Sequence, residues 1–427
     1  MKILHVIQRY WPYLGGSERH FQEVSERLAR AGHQVTVYTT DAFELELFWN
    51  PTKARVQPSR ETHNGVTIVR FPVRHLRGRQ LAHGGIRRGM GYLGALGPAI
   101  SPLQRYLARF VPWVPNLTAA LDAESDRAND FDIVNGMNIC FESLLLPAQR
   151  FARRRGIPFL ITPLIHLGES DHSLVRRFYT MPHQIQMIAH ADAVLAQNTI
   201  ERDYLIGRGV RPEKISIAGV GVNPEEVLGG QGERIRARLR RSGPLVAYVG
   251  TLAYDKGTVH LVEAMRRLWR EGSAADLVLA GQSLDTFHAY LDTLSRFERE
   301  RIHLLGYVDE ATKRDIFAAS DVFAMPSRTD SFGIVYLESW LYRKPVIGAR
   351  AGGVTATIDD GVDGFLIPFG DVPALANRLA RLIGDPDGSL AMGERGRDKV
   401  LARYTWDRVF PRIEEVYQWQ KPQVTAR

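Results

Sequence analysis

The sequence predicts an α/β chain made of two doubly wound parallel-sheet domains facing a cleft. Three observations lead there. The chain has 427 residues, too many for one hydrophobic core and suited to two or three domains. Short apolar runs alternate with amphipathic segments, the pattern of parallel strands joined by covering helices. After the turn-rich stretch Gly229-Gly230-Gln231-Gly232-Glu233 the alternation starts afresh, so the pattern occurs twice.

The elements follow in order. Ile3 to Ile7 is an apolar run of buried-strand type. The loop Tyr10-Trp11-Pro12-Tyr13-Leu14-Gly15-Gly16 leads into a helix with Phe21, Val24 and Leu28 on one face, and Gly32 stands at its C-cap position. Val35 to Thr39 is the second strand, and further strands are expected at Ile133-Val134, Phe159 to Ile161 and Ala193 to Leu195. In the second half strands are expected at Leu245 to Gly250, Leu277 to Ala280, Ile302 to Leu305, Val322 to Met325 and Pro345 to Gly348. The predicted domains are residues 1–222 and 223–405. A last helix over 406–420 either closes the second domain or crosses back to the first. Ligands bind such sheets at the carboxyl ends of the strands.

Composition narrows the class. With 44% hydrophobic and 24% charged residues, and 38 Gly and 22 Pro outside any low-complexity tract, neither a disordered nor a fibrous chain is expected. A single cysteine, Cys140, excludes an intramolecular disulfide framework and a cysteine zinc cluster. It is expected to be buried rather than reactive. The amino-terminal apolar run is too short for a secretory signal and is broken by Gln8 and Arg9. No stretch approaches ~18 uncharged apolar residues, so the expected location is the cytoplasm.

The formal charge of +8 has an address. From Thr62 to Leu121 there is no Asp or Glu, while Arg70, Arg74, Arg77, Arg79, Arg87, Arg88, Arg105 and Arg109 all fall inside. Those eight arginines equal the whole surplus. Mixed with Tyr92, Leu93, Phe110 and Trp113, they suit an anionic membrane surface, at its inner face, or an anionic acceptor. The alternatives are a solvated basic loop or a nucleic-acid contact, and no nucleic acid is expected.

The most informative stretch is Ser327-Arg328-Thr329-Asp330-Ser331-Phe332-Gly333-Ile334-Val335-Tyr336-Leu337-Glu338. It follows a strand, so its glycine opens a helix whose first N–H groups favour an anion. Glu338 lies about 6 Å further along the axis, near the span from a nucleotide phosphate to its ribose. A capping Asp330 and a solvated Glu338 are the alternative. Gly250-Thr251-Leu252-Ala253-Tyr254-Asp255-Lys256-Gly257 repeats the strand–loop–helix arrangement, and Lys256 is one of only eight lysines against 47 arginines. An ammonium suits a phosphate. Gly352-Gly353 offers another close backbone approach. Gly15-Gly16-Ser17-Glu18 is not Gly-x-Gly-x-x-Gly, and only Asp41 supports a nicotinamide reading. His166 follows the strand Phe159 to Ile161 and is placed to face the cleft, though a packed histidine fits the position equally.

Taken together these residues resemble glycosyltransferase family 4, retaining sugar-nucleotide transferases of the two-domain GT-B fold. The resemblance runs from Gly15-Gly16-Ser17-Glu18-Arg19-His20 through Gly32-His33-Gln34-Val35, Thr162 to His166, Asp255-Lys256-Gly257 and Gly281 to Asp330–Glu338. It ends at Gly352-Gly353 and Asp363-Gly364-Phe365-Leu366. It implies that Glu338 binds the donor ribose and Lys256 the pyrophosphate. Gly15, Gly16 and Thr251 would approach the donor, and Ser331, Phe332, Gly333 and Ile334 would form the helix start beneath its sugar and phosphate. His166, Lys256 and Asp330 are the implied catalytic group. The implied donor is a UDP-sugar or GDP-sugar and the acceptor a glycan or lipid-linked hydroxyl, with no metal or other cofactor.

Three positions depart from the family pattern. Asp330 replaces the first Glu of Glu-x7-Glu, Thr251 stands where many members carry Arg, and Thr355-Ala356 follows Gly352-Gly353 in place of Pro-Glu. Alternatives on the same architecture are a sugar-nucleotide epimerase, a phosphorylase with a Schiff-base lysine (Lys256, Lys313, Lys344 or Lys399), and a nucleotide-sugar-binding or membrane-scaffolding relative without turnover.

Overall fold

The computed structural model describes residues 1–13, 15–124, 131–170, 173–240 and 242–419. They form two compact units. One comprises Met1–Ile165, Leu174–Gly219 and the chain from Phe410 onward, and the other His166–Ser173 and Val220–Val409.

The first unit is built on eight strands: β1 (Lys2–Val6), β2 (Gln34–Thr40), β3 (Arg60–His63), β4 (Val66–Phe71), β5 (Ile133–Met137), β6 (Phe159–Thr162), β7 (Ala193–Ala196) and β8 (Ile215–Ile217). Their order is β3-β4-β2-β1-β5-β6-β7-β8, so the winding reverses at β1. Every pairing is parallel except β3 with β4. That hairpin is absent from the sequence reading, although Asn64-Gly65, with φ of 46° and 81°, supplies the two left-handed residues of a tight turn. The outer strand is polar, as an edge strand must be to avoid pairing with another chain. Strands β1 and β5 are apolar and buried because helices cover both faces.

The basic segment is not a patch of eight free charges. Arg70 is 3% exposed, pairs with Glu61 and donates to the carbonyls of Pro58 and Trp11 at 2.7 Å each. Arg87 makes a two-pronged pair with buried Glu142 at 2.9 and 2.7 Å. Glu61 adjoins the acid-free stretch and Glu142 lies well beyond its other end, and tertiary folding brings both to its arginines. Arg74, Arg77, Arg88 and Arg109 are exposed. The Arg79 side chain lies outside the described residues. Burial pushes the Cys140 thiol up to about 12, and its Sγ donates to the Phe178 carbonyl at 3.5 Å, so it is no nucleophile.

The second unit carries β9 (Leu245–Val249), β10 (Asp276–Ala280), β11 (Ile302–Gly306), β12 (Val322–Met325), β13 (Val346–Ala349) and β14 (Gly364–Ile367). The order is β11-β10-β9-β12-β13-β14 and all pairings are parallel. The sequence reading lacks β14, which is only four residues long. The helix Trp406–Trp419 starts on this unit, where Trp406 N–H donates to the Val222 carbonyl at 3.1 Å. From Phe410 it groups with the first unit, where buried Tyr417 bonds His5 Nε2 at 2.8 Å and accepts from Asn135 at 2.6 Å. Gln420, the end expected for this helix, lies outside the described residues. Among the described residues no helix is long and apolar enough to cross a membrane.

Candidate active site

The strand order of the second unit explains its site. The winding reverses between β9 and β12, which pair through Val246 with Val322 and Ala247 with Phe323. The loops that follow these two strands therefore leave the same sheet edge side by side. Arg328 N–H donates to the Asp255 carbonyl at 3.0 Å and ties them together. Gly257 has φ of 77°, and a Cβ there would run into the Pro326 carbonyl, so the close approach requires glycine.

This approach joins Lys256 to Asp330, distant in sequence. Lys256 Nζ donates to both Asp330 oxygens at 3.1 Å each. Burial works against ionisation of Asp330, and the Lys256 ammonium and Ser327 hydroxyl outweigh it, holding the carboxyl below its usual range. His166 joins them because residues 166–173 dock on this unit, where Gly352 N–H donates to Gly168 O at 2.9 Å. Burial pulls its imidazole down to about 4, with Lys256 acting in the same sense and Asp330 against it. His166 is therefore neutral at physiological pH. Arg328 braces the cluster from outside, donating to Asp255 at 2.9 and 2.5 Å and to Glu169 at 3.1 Å.

The helix Ile334–Leu341 begins at Gly333, whose φ of 85° no residue with a Cβ adopts easily and whose Cβ would strike the Tyr336 ring. Among the described residues no side chain caps this helix, so Asp330 is not its cap. Phe332 is buried edge-on against Tyr404, while Ser331 and Ile334 are half-buried. Thr251 is exposed, and its carbonyl accepts from Tyr248 Oη at 2.8 Å.

Glu338 is not solvated. It is 8% exposed, and Lys313 Nζ donates to its Oε1 at 2.9 Å while also reaching Glu310 at 2.8 Å. Its Oε2 is buried without a hydrogen-bond partner among the described residues, an acceptor already desolvated and held in place. Burial works to lower the Lys313 pKa, but Glu338 and Glu310 raise it overall, so this lysine stays charged. Lys256 and Lys399 are likewise ion-paired. Lys344 lies ahead of β13, at the edge opposite the site loops. None of the four suits a Schiff base.

In the first unit, Gly15 and Gly16 follow β1. Glu18 accepts from Gln8 at 2.9 Å, Arg9 Nε at 3.0 Å and Ser17 Oγ at 2.8 Å, and a Cβ on Gly15 would meet its carboxylate. Gly16 is exposed at the first turn of the helix Gly16–Arg30. Glu201 accepts from the backbone N–H groups of Ile165 and Gln197, both at 2.8 Å, and so fixes the chain next to His166. Sequence reasoning missed Glu201, Arg328 and the pairing of Lys313. Only Glu201 had a signal, the Asn198-x-x-Glu201 spacing of a helix start. Among the described residues no three His, Cys, Asp or Glu side chains converge as a metal-binding set.

Comparison with known proteins agrees with this architecture. Residues 15–221 match the glycosyl transferase 4-like domain and residues 232–399 the glycosyl transferases group 1. The alpha-D-kanosaminyltransferase of Streptomyces kanamyceticus is 30% identical over 193 residues, 44% of this chain and 50% of that protein. A GDP-mannose-dependent monoacylated alpha-(1-6)-phosphatidylinositol monomannoside mannosyltransferase of Corynebacterium glutamicum is 30% identical over 182 residues, 41% of this chain and 47% of that protein. The chain thus spans about half the length of the curated relatives it matches. Anabaena HepE, solved with UDP, shares the fold at a TM-score of 0.70 and 18% identity, covering 98% of this chain and 100% of that one. With a glycosyltransferase model over each half and this two-sheet fold between known relatives, the chain belongs to the family-4 glycosyltransferases of GT-B fold.

Proposed function

We propose that this chain is a metal-independent, retaining glycosyltransferase. It would move a sugar from a UDP- or GDP-sugar to a hydroxyl of a glycan or lipid-linked acceptor in cell-surface or glycolipid biosynthesis. The observation that carries the reading is the Lys256–Asp330 pair beside a neutral His166, on a unit whose uncapped helix also holds Glu338 with one open oxygen. Glu338 Oε2 accepts a ribose hydroxyl. Lys256 and the N–H groups after Gly333 take the charge that grows on the diphosphate as the bond from the anomeric carbon to phosphate breaks. The acceptor oxygen bonds to the same face of that carbon, and its proton passes to the departing phosphate oxygen. Asp330, kept ionised, orients Lys256 and the sugar hydroxyls, and neutral His166 exchanges hydrogen bonds with the sugar without adding charge. The names of relatives support either donor: one is GDP-mannose-dependent, and another was solved with UDP.

The test is incubation with UDP- and GDP-sugars in EDTA, with and without lipid-linked acceptor, reading nucleotide release and product anomeric configuration. Transfer with retention is expected. Nucleotide binding without turnover, or release of an epimerised free sugar, would overturn the reading.

The acceptor side of the proposal rests on the first unit. Arg74, Arg77, Arg88 and Arg109 are exposed, as are Leu81, Tyr92, Leu96, Leu103 and Tyr106, a mixture suited to an anionic membrane. At about 1 kcal/mol for each basic residue, four give reversible attachment. Co-sedimentation should favour anionic over neutral vesicles and fade with salt, whereas equal binding to both would sink this part.

A further inference from the structure

A crevice of about 1290 Å³ opens on the first unit, larger than drug-sized pockets usually are. Its walls come from the helices Ser101–Ala108, Pro115–Glu124 and Glu142–Arg155. Its floor is Ile157 to Phe159 at the start of β6, with Asp192 just ahead of β7. It therefore lies at the amino-terminal edge of the sheet, opposite the edge where Gly15 follows β1. The site described above does not use it.

Its chemistry is divided. One part is apolar, with Phe110, Trp113, Leu146, Pro147 and Ile157. The other gathers Arg105, Arg109, Arg150 and Arg153. Three acids also line it, and each is engaged elsewhere. Asp122 pairs with Arg154 at 2.7 Å, Asp192 accepts from Phe159 N–H at 2.8 Å, and Glu142 is held by Arg87 and His183. Arg105 donates to Gln186 at 2.8 Å, but its Nε is buried without a partner among the described residues. Arg150 is half-buried and makes no hydrogen bond or ion pair among the described residues. Burial first, then the charge of Arg109 and, more weakly, those of Arg154 and Arg153 pull its pKa down; Asp122 acts against them without reversing the direction, so like charges outweigh the one acid that reaches it. Tyr106, 55% exposed, stands at the rim, on the helix that also presents Leu103 to solvent.

We infer that this crevice binds an anionic phospholipid, its phosphate held by Arg109, Arg150 and Arg153 and its acyl chain laid over Phe110, Trp113 and Leu146. A phosphate supplies the missing counter-charge and accepts the forked guanidinium donors. The apolar wall takes a chain that a free anion or a hydrated sugar would not use. The inference goes beyond the transferase reading and needs no turnover. It draws on the membrane reading only for the source of the lipid.

The test is calorimetric titration of the full chain with dihexanoylphosphatidic acid below its micelle concentration, beside dihexanoylphosphatidylcholine, dibutyrylphosphatidic acid and inorganic phosphate. Saturable binding is expected for the phosphatidic acids, tighter for the longer chains by about fourfold for each methylene buried. Arg150→Ser should weaken it about ten- to a hundred-fold, and adding Arg109→Ser should weaken it further. The melting temperature of ligand-free Arg150→Ser should equal or exceed that of the parent, because crowding is relieved, which excludes misfolding as the cause of lost binding. Inorganic phosphate binding as tightly as the lipid, equal binding of the phosphatidylcholine, or unchanged affinity in Arg150→Ser would each overturn the proposal.

Discussion

Lys256 and Arg150 are both half-buried cations, and their surroundings differ in one respect. Lys256 faces Asp330, which it holds ionised, and the cluster with His166 is balanced before any ligand arrives. Arg150 stands among Arg109, Arg153 and Arg154, and of the acids lining its crevice only Asp122, itself paired with Arg154, acts against that crowding. The difference teaches what each region asks of a ligand. A paired cation is pre-organised and turns to a charge that develops during reaction, whereas a crowded one is relieved by a charge that simply stays.

The largest effect should come from unpairing Glu142, which lines the same crevice but is neutralised. Arg87→Met leaves this carboxylate buried without its cation, at about 3–5 kcal/mol of stability, measured by denaturant unfolding. In the parent, burial opposes ionisation of Glu142, and Arg87 and His183 outweigh it, so its pKa is lowered. The pair's contribution is complete above the unfolded value near 4.5 and is lost as pH falls through the lowered one. Arg87→Met should lose that acid dependence. A variant as stable as the parent would mean that the pairing contributes nothing.

Breaking the balanced cluster comes next. Lys256→Ala should lower kcat by about a hundred- to a thousand-fold, the range for losing one donor to a developing charge. Parent-like turnover at saturating donor would remove Lys256 from the chemistry. Glu338→Ala should instead weaken nucleoside diphosphate binding by about ten- to a hundred-fold and leave kcat at saturating donor close to the parent value. A fall in kcat with affinity intact would reverse the two roles.

The smallest effect sharpens the contrast with a buried acid that has no cation. Burial pushes Glu201 up to about 7, against the backbone N–H groups that donate to it. With the folded value above the unfolded 4.5, its contribution is complete below pH 4.5 and lost as pH rises through about 7. The buried imidazoles of His5, His20 and His166, all pulled down, act in the opposite direction, so the readout is the parent minus Glu201→Gln difference in melting temperature. That difference should shrink from pH 4.5 to 7. A constant offset would show that Glu201 ionises as freely in the folded chain as in the unfolded one.

Much of the site was legible because its signals are local. Gly257 and Gly333 announce left-handed turns after apolar runs, and Lys256, Asp330 and Glu338 sit at fixed offsets from them. Lys313 was visible only as a rare lysine, because its partner Glu338 comes from another helix 25 residues on. The basic segment misled for the same reason. An absence of acids over sixty positions says nothing about Glu61 and Glu142, which folding returns to Arg70 and Arg87. Strand β3 was passed over because its four residues are polar and carry no apolar run, whereas β14 and the six-residue β4 hold readable apolar residues and were missed.

The sequence by itself determined the two α/β units, their parallel strands and the loops that carry the candidate site. Those follow from hydrophobic period, turn residues and helix starts, which act over a few neighbouring residues. Only the tertiary structure decided which charges are paired. It set Lys256 against Asp330 and Lys313 against Glu338, hid Arg70 and Arg87, and left Arg150 crowded in a crevice walled by three helices. The physical reason is that an ion pair depends on the distance and desolvation of groups far apart in the chain, and those quantities exist only once the strand order has brought the loops and helices together.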